Sequence, residues 1–138
     1  MTEKAVREFP FIIRPENVSR YEDGEVFILD RRVYPFEVRF ERCKTYAETA
    51  QAIKDMVTQS GGPGKAAAQG MIQAAHQARD KSLEGIANEL DRAYNLLLST
   101  RPTCDHLRNT TTKMLKVGKE AIENGEDVEQ ALISAMHK

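Results

Sequence analysis

Gln59-Ser60-Gly61-Gly62-Pro63-Gly64-Lys65, called the glycine loop below, is the stretch of this 138-residue chain from which its fold is best inferred. The loop interrupts a helical pattern and leads into a run of very small residues, Ala66-Ala67-Ala68-Gln69-Gly70. Glycines let backbone N–H groups approach a ligand closely, and a helix starting here would present its positive dipole end. The loop is therefore either a phosphate-binding turn or only a tight connection between two helices.

Residues 9–43, ahead of the loop, have the pattern of a small antiparallel sheet. Phe9–Pro15 is apolar but bracketed by prolines, which predicts an extended arm or an edge strand. Asp23-Gly24 between two strand-like runs predicts a hairpin. Residues 36–43 alternate between apolar and polar, which predicts a third strand with one packed face. The apolar positions of that predicted face are Phe36, Val38 and Phe40.

From Thr45 onward the apolar spacing becomes helical, and caps and breakers divide residues 45–138 into four or five helices. The second helix, from about Gly64 to Arg79, carries a stripe of small residues and is expected to be central. The predicted N-caps are Thr45 with Glu48, Ser82, Thr103, and Asp127 with Gln130. Met56 and Leu83 are predicted to face inward. The chain is thus expected to be one α+β domain over residues 1–138: a small antiparallel three-stranded sheet followed by a helical bundle.

Composition excludes several classes of partner. The net charge of −1 and the pI of about 6.3 give no global field for nucleic acid or an anionic membrane. No apolar run approaches the roughly 20 residues of a membrane span, and the charged N-terminus does not resemble a signal peptide. We therefore expect a cytoplasmic protein with no nucleic-acid or membrane partner.

Few residues of the sequence indicate a catalytic, metal-binding or ligand-binding function. Cys43 and Cys104 lack CxxC spacing and are interpreted as free, small hydrophobic residues. The three histidines have no metal-ligand spacing, so no metal, cofactor or catalytic residue is assigned. The carboxylates Glu84, Glu89 and Asp91 are expected on a solvated helix face. A P-loop is excluded, because Gln59 stands where its first glycine is required and Ala66 where Ser or Thr is required.

Arg101, in Ser99-Thr100-Arg101-Pro102-Thr103, is the remaining candidate. An arginine followed by proline and next to a helix N-terminus is a plausible anion clamp. Equally, it could hydrogen-bond carbonyl oxygens at a helix end. The residues alone leave both interpretations open.

The order of these motifs resembles the N-terminal domain of a known family. The motifs are, in order, Tyr21-Glu22-Asp23-Gly24, Ile28-Leu29-Asp30-Arg31-Arg32, Ala52-Ile53-Lys54-Asp55-Met56, the glycine loop with its alanine-rich helix, and Ser99-Thr100-Arg101-Pro102-Thr103. This series is similar to the S-methyl-5-thioribose-1-phosphate isomerases, the ribose-1,5-bisphosphate isomerases and the regulatory subunits of translation initiation factor 2B. The resemblance is good over roughly residues 17 to 110 and looser elsewhere.

The resemblance implies a function in binding a sugar phosphate. In that family the isomerases, some in methionine salvage, convert a phosphorylated aldose to a ketose, and the N-terminal domain forms a wall of the site. By this resemblance Gly61, Gly62 and Arg101 would contact the substrate. The family's loop arginine is missing, since Gln59-Ser60-Gly61-Gly62 stands where the family has Arg-Gly-Ala-Pro or Arg-Gly-Ala-Gly.

Two functions follow from the resemblance, and a third possibility is that the chain is a fragment of a longer enzyme. The family's catalytic cysteine and aspartate lie on a Rossmann-like domain that is absent from residues 1–138, so the first is a substrate-binding domain that needs a partner chain. Its partners would be a sugar phosphate and either a protein with a Rossmann-like domain or further copies of itself. The alternative is a non-catalytic regulatory or interaction domain closer to the initiation-factor branch.

Overall fold

The structure, a computed structural model, describes residues 18–59 and 62–136. It has a three-stranded antiparallel sheet followed by five helices, which confirms the predicted α+β class. The strands are β1 (Ser19–Glu22), β2 (Glu25–Leu29) and β3 (Phe40–Cys43); the helices are α1 (Tyr46–Lys54), α2 (Gly62–Gln77), α3 (Leu83–Thr100), α4 (Asp105–Glu123) and α5 (Val128–Met136). The arm predicted over Phe9–Pro15 lies outside the described residues.

The hairpin predicted at Asp23-Gly24 is confirmed. Both residues have positive φ, 45° and 88°, which is the geometry of a two-residue turn between antiparallel strands. The register pairs Arg20 with Phe27 and Glu22 with Glu25. β3 then pairs with the other edge of β2, so β2 is the central strand.

The third strand is shorter than predicted, and its expected apolar face is wrong. Only Phe40–Cys43 is a strand, whereas Phe36 is 97% exposed and Val38 is 56% exposed. The reason is a series of turns after β2. The buried carboxylate of Asp30 accepts hydrogen bonds from the backbone N–H and the guanidinium of Arg32, and the chain doubles back before it reaches β3. The segment before Phe40 therefore has no strand of the described part beside it.

Helix α2 is central, as its small residues predict, although it begins at Gly62 rather than Gly64 and ends at Gln77 rather than Arg79. Thirteen of its sixteen residues are buried, and it contacts α1, α3, α4, α5, β1 and β2. Small side chains allow this close approach from several sides. At Gly70 an added Cβ would lie 3.1 Å from a methyl carbon of Leu97 on α3.

Three of the four predicted N-caps are confirmed. Thr45, Ser82 and Asp127 each accept a hydrogen bond from a backbone N–H in the first turn of the following helix. The fourth is wrong, because α4 begins at Asp105 and its N-cap is Cys104, which makes no side-chain cap bond. Thr103 lies outside the helix.

Three predictions of burial are also wrong. Met56 and Leu83, predicted to face inward, are exposed, because Met56 follows the end of α1 and Leu83 is the first residue of α3. Glu89, expected on a solvated face, is buried and accepts a hydrogen bond from the Tyr46 hydroxyl. That bond holds the pKa of Glu89 below its usual range against the opposing effect of burial, and Lys81 acts in the same direction as the bond.

Gln73 of α2 joins the sheet to the helices. Its side chain is fully buried, and its amide nitrogen donates to the carbonyl oxygens of Gly24, at 3.2 Å, and Cys43, at 2.9 Å. Its amide oxygen accepts from the Thr49 hydroxyl of α1. One side chain thus satisfies buried polar groups of the hairpin turn, of β3 and of α1, which an apolar residue could not do.

Replacing Gln73 by leucine is expected to lower the free energy of unfolding by about 3 kcal/mol, because it leaves two buried carbonyl groups and one hydroxyl without this partner. Gln51→Leu is the matched control, since Gln51 is exposed and its amide bonds the exposed Asp55 one turn away; its loss should be about 0.5 kcal/mol or less. Urea unfolding followed by circular dichroism measures both. Equal losses would contradict the role of Gln73.

Candidate functional site around the glycine loop

The chain enters the glycine loop shortly after α1 ends abruptly. The N–H of Val57 bonds the carbonyl of Ala52, at 3.0 Å, and that of Met56 bonds Ile53, at 3.1 Å, while Met56 has a φ of 64°. This pattern reverses the chain at a helix C-terminus and usually has glycine at the position of Met56. It directs Val57 and Thr58 into the core, where their side chains are 2% and 1% exposed.

The N-terminus of α2 follows directly. Ser60 and Gly61 lie outside the described residues, so the predicted role of Gly61 has no structural description. Gly62 is the first residue of α2 and is buried, and its N–H bonds the carbonyl of Gln59 at 3.0 Å. The first turn of α2 holds no acidic side chain, so no carboxylate of that turn offsets its positive dipole end.

Gly62 is required by a close approach. A Cβ added there would lie 1.8 Å from the Oγ1 atom of Thr58 and 3.4 Å from a methyl carbon of Val18. No side chain fits at that distance without movement of Thr58. The start of α2 is therefore packed directly against the residue that enters the loop.

Arg101 reaches the same place from the end of α3. One terminal nitrogen of its guanidinium donates to the carbonyl oxygens of Ile53, in the last turn of α1, and Thr58, each at 3.3 Å. The second interpretation of the sequence, an arginine bonding carbonyls at a helix end, therefore describes these contacts. The two bonds use one of the three guanidinium nitrogens, and Arg101 is half-buried. Arg101 thus ties α1 to the loop and brings a positive charge beside it.

His106, in the first turn of α4, packs against Gly64 of the loop. A Cβ added to Gly64 would lie 2.3 Å from the imidazole Cδ2 atom and 2.7 Å from Nε2. His106 also lines a groove of about 190 Å³ with Lys65, Thr110 and Lys113, which gives the groove two lysines and an imidazole. Its remaining lining residues are Ala68, Met114, Ala135 and Met136.

The structure therefore brings two predicted residues, Gly62 and Arg101, to one end of the molecule. It also places there two residues that the sequence analysis did not select, Thr58 and His106. Thr58 accepts the Arg101 bond through its backbone, and a backbone acceptor carries no residue-type signal. His106 lies five residues after Arg101 in the sequence. This short separation is the signal from which its position near the loop could have been predicted.

Metal centres and membrane spans are not found among residues 18–59 and 62–136. No group of three His, Cys, Asp or Glu side chains there could hold a metal ion, and no helix is long and apolar enough to cross a membrane. Cys43 is buried, and burial raises the pKa of its thiol to about 11, so it is a poor nucleophile. Cys104 is half-buried at the start of α4.

Known proteins with similar sequences carry the name of one family of enzymes. No family model matches the chain. The methylthioribose-1-phosphate isomerase of Caldanaerobacter subterraneus is 37% identical over 89 residues, which are 63% of this chain and 26% of that protein. The isomerase of Natranaerobius thermophilus is 33% identical over 124 residues, or 86% of this chain and 35% of that protein.

A solved structure of a similarly named protein has the same fold as this chain. The 5-methylthioribose 1-phosphate isomerase of Pyrococcus horikoshii superposes on 97% of this chain and 38% of its own, with a TM-score of 0.79 at 24% identity. These matches confirm the resemblance inferred from the sequence motifs. The chain is related to the methylthioribose-1-phosphate isomerases, and it spans about a quarter to a third of the length of the curated relatives it matches.

The contact between Gly62 and Thr58 can be tested by a double-mutant cycle. Gly62→Ala alone is expected to lower the free energy of unfolding by about 1–3 kcal/mol, because the new methyl group overlaps Oγ1 of Thr58. Thr58→Ala removes that atom, and the nearest remaining side-chain carbon, the Cβ, is 3.1 Å away. The double variant should therefore lose less stability than the sum of the two single variants. Additive losses would show that the two residues are not in contact.

Proposed function

We propose that this chain is the substrate-binding domain of a sugar-phosphate aldose–ketose isomerase similar to methylthioribose-1-phosphate isomerase, with the catalytic groups on a partner chain. The relatives carry that isomerase name, and the chain matches only part of each. The observation that carries the proposal is the convergence of the α2 N-terminus, Arg101 and His106 at one end of the molecule. We call this end the loop end.

The chemistry of the loop end suits a phosphorylated ligand. The positive dipole end of α2 favours an anion, although Pro63 has no backbone N–H and the N–H of Gly62 already bonds the carbonyl of Gln59. Arg101 adds a permanent positive charge, and its guanidinium nitrogens that do not bond Ile53 and Thr58 are the ones that would meet phosphate oxygens. Lys65, His106 and Lys113 line the adjacent groove. Gly61 and Gly62 would contribute backbone rather than side-chain contacts.

A second candidate function is supported by the contacts of Arg101 and by the identity of Gln59. Its two hydrogen bonds are to protein carbonyls, and Gln59 replaces the arginine that the family's loop carries. Both features suit a non-catalytic regulatory or interaction domain. The delta subunit of translation initiation factor 2B from A. fulgidus shares the fold, with a TM-score of 0.75 at 22% identity over 85% of this chain and 34% of that one.

The catalytic proposal is tested by an isomerase assay on 5-methylthioribose 1-phosphate, with this chain alone and with a Rossmann-like domain supplied as a separate chain. We expect turnover only in the mixture, because no catalytic residue is assigned to this chain. Absence of turnover in both, together with no calorimetric binding of any sugar phosphate or nucleotide, would exclude the catalytic function and support a protein-facing one.

Arg101→Ala is expected to weaken sugar-phosphate binding at least about tenfold, since a charge-assisted hydrogen bond contributes about 1.5–3 kcal/mol. Arg108→Ala is the matched control. Arg108 is an exposed arginine in the first turn of α4, and like Arg101 it donates to a backbone carbonyl, that of Pro102. Calorimetric titration is done below the unfolding temperature of each variant. Unchanged affinity in Arg101→Ala, or equal losses in both, would contradict the role of Arg101.

A further inference from the structure

The groove beside the loop end, with a volume of about 190 Å³, is lined by two kinds of side chain. The first kind donates hydrogen bonds through nitrogen: Lys65 in the first turn of α2, and His106 and Lys113 of α4. Because His106 and Lys113 are roughly two helical turns apart, they lie on the same face of α4. The second kind is apolar and includes the thioethers of Met114 and Met136. We call this cavity the Lys113 groove.

The charge of the Lys113 groove differs from that of the other grooves in the described part of the chain. None of its described lining residues is a carboxylate. Three other grooves are each lined by three carboxylates, which are Glu120, Glu126 and Asp127 in one, Glu41, Glu48 and Asp55 in another, and Glu126, Asp127 and Glu129 in the last. The whole chain has 21 acidic residues and 20 lysines and arginines, so an even mixture would place carboxylates here too. The lining therefore gives this groove a positive potential.

Two of the donors in the groove are not used by the fold. Within the described residues, neither the imidazole of His106 nor the ammonium of Lys113 makes a hydrogen bond or an ion pair. Lys113 also lines one of the acidic grooves, yet it pairs with none of the carboxylates there. By contrast, Lys119 on the same helix is paired with Asp91 at 3.0 Å. The donors of His106 and Lys113 are thus available to a ligand.

We propose that the Lys113 groove binds a small amphiphilic anion, meaning a phosphate or carboxylate group carried on a short apolar chain. The nitrogen donors would bind the anionic oxygens through charge-assisted hydrogen bonds. Met114 and Met136 would cover the apolar chain, since flexible thioether side chains adapt to irregular shapes. The volume is below the roughly 300–1,000 Å³ of pockets for drug-sized ligands, so the ligand has to be small. The inference goes beyond the proposed function, because it holds whether or not the loop end binds a sugar phosphate.

Nuclear magnetic resonance of the whole chain, with isotopically labelled methionine methyl groups and n-butyl phosphate as the probe, tests the proposal. Met114 and Met136 line the groove, whereas Met56 follows the end of α1 and does not. We expect saturable shifts of the Met114 and Met136 methyl signals and no shift of the Met56 signal. Inorganic phosphate should bind at least about tenfold more weakly than n-butyl phosphate, because it has no apolar chain to bury.

Lys113→Gln is expected to raise the dissociation constant of n-butyl phosphate about threefold to tenfold, since it removes a charge from the groove. Lys116→Gln is the matched control, because Lys116 is also an exposed lysine of α4 but does not line the groove. Its dissociation constant should equal that of the parent. Both positions are exposed, so both variants should keep the unfolding temperature of the parent, which thermal unfolding checks.

Three results would overturn the proposal: no saturable shift at Met114 and Met136, equal dissociation constants for the Lys113 and Lys116 variants, or inorganic phosphate binding as tightly as n-butyl phosphate. The last result would show an adventitious ion only. None of these results bears on the proposed function, which is tested with a different ligand and at Arg101.

Discussion

The buried amide of Gln73 is the contact on which the rest of the arrangement depends. It lies on the central helix and bonds the hairpin turn through Gly24, β3 through Cys43 and α1 through Thr49. Apolar packing alone would hold these elements against α2 without fixing how far each slides along it. Three directional hydrogen bonds from one side chain set that position, because a buried carbonyl left unpaired costs about 1–3 kcal/mol.

The Gln73 bonds hold the sheet and α1 against the middle of α2. The N-terminus of α2 lies beyond these contacts, at the loop end. The short connection out of α1 then brings Thr58 against Gly62, and Arg101 joins α1, the loop and the end of α3 through the carbonyls of Ile53 and Thr58. The described residues of the proposed ligand site lie on or beside helices: Gly62 on α2, Arg101 at the end of α3 and His106 on α4. Such placement lowers the entropy lost on binding.

Most local features of the fold could be predicted from the sequence, although the Thr103 cap was wrong, and several non-local ones could not. The Asp23-Gly24 turn and the caps at Thr45 and Ser82 depend on chemistry within a few residues, and all were predicted correctly. Phe36 is exposed because Asp30 turns the chain by binding Arg32, and Glu89 is buried because Tyr46 comes from another helix. The alternation of one segment and the spacing of one helix contain no information about such partners.

The candidate site, too, was predictable only in part from the sequence. The glycines and the Arg-Pro-Thr motif were visible as motifs, but whether Arg101 bonds carbonyls depends on where α1 ends, and that is set by tertiary packing. The proposed ligand of the loop end is a phosphorylated sugar. Amide proton–nitrogen correlation spectra recorded during titration with 5-methylthioribose 1-phosphate test it most directly. We expect saturable shifts at Gly62, Gly64 and the Arg101 side chain; no shifts, or shifts confined to the sheet, would exclude a sugar-phosphate site at the loop end.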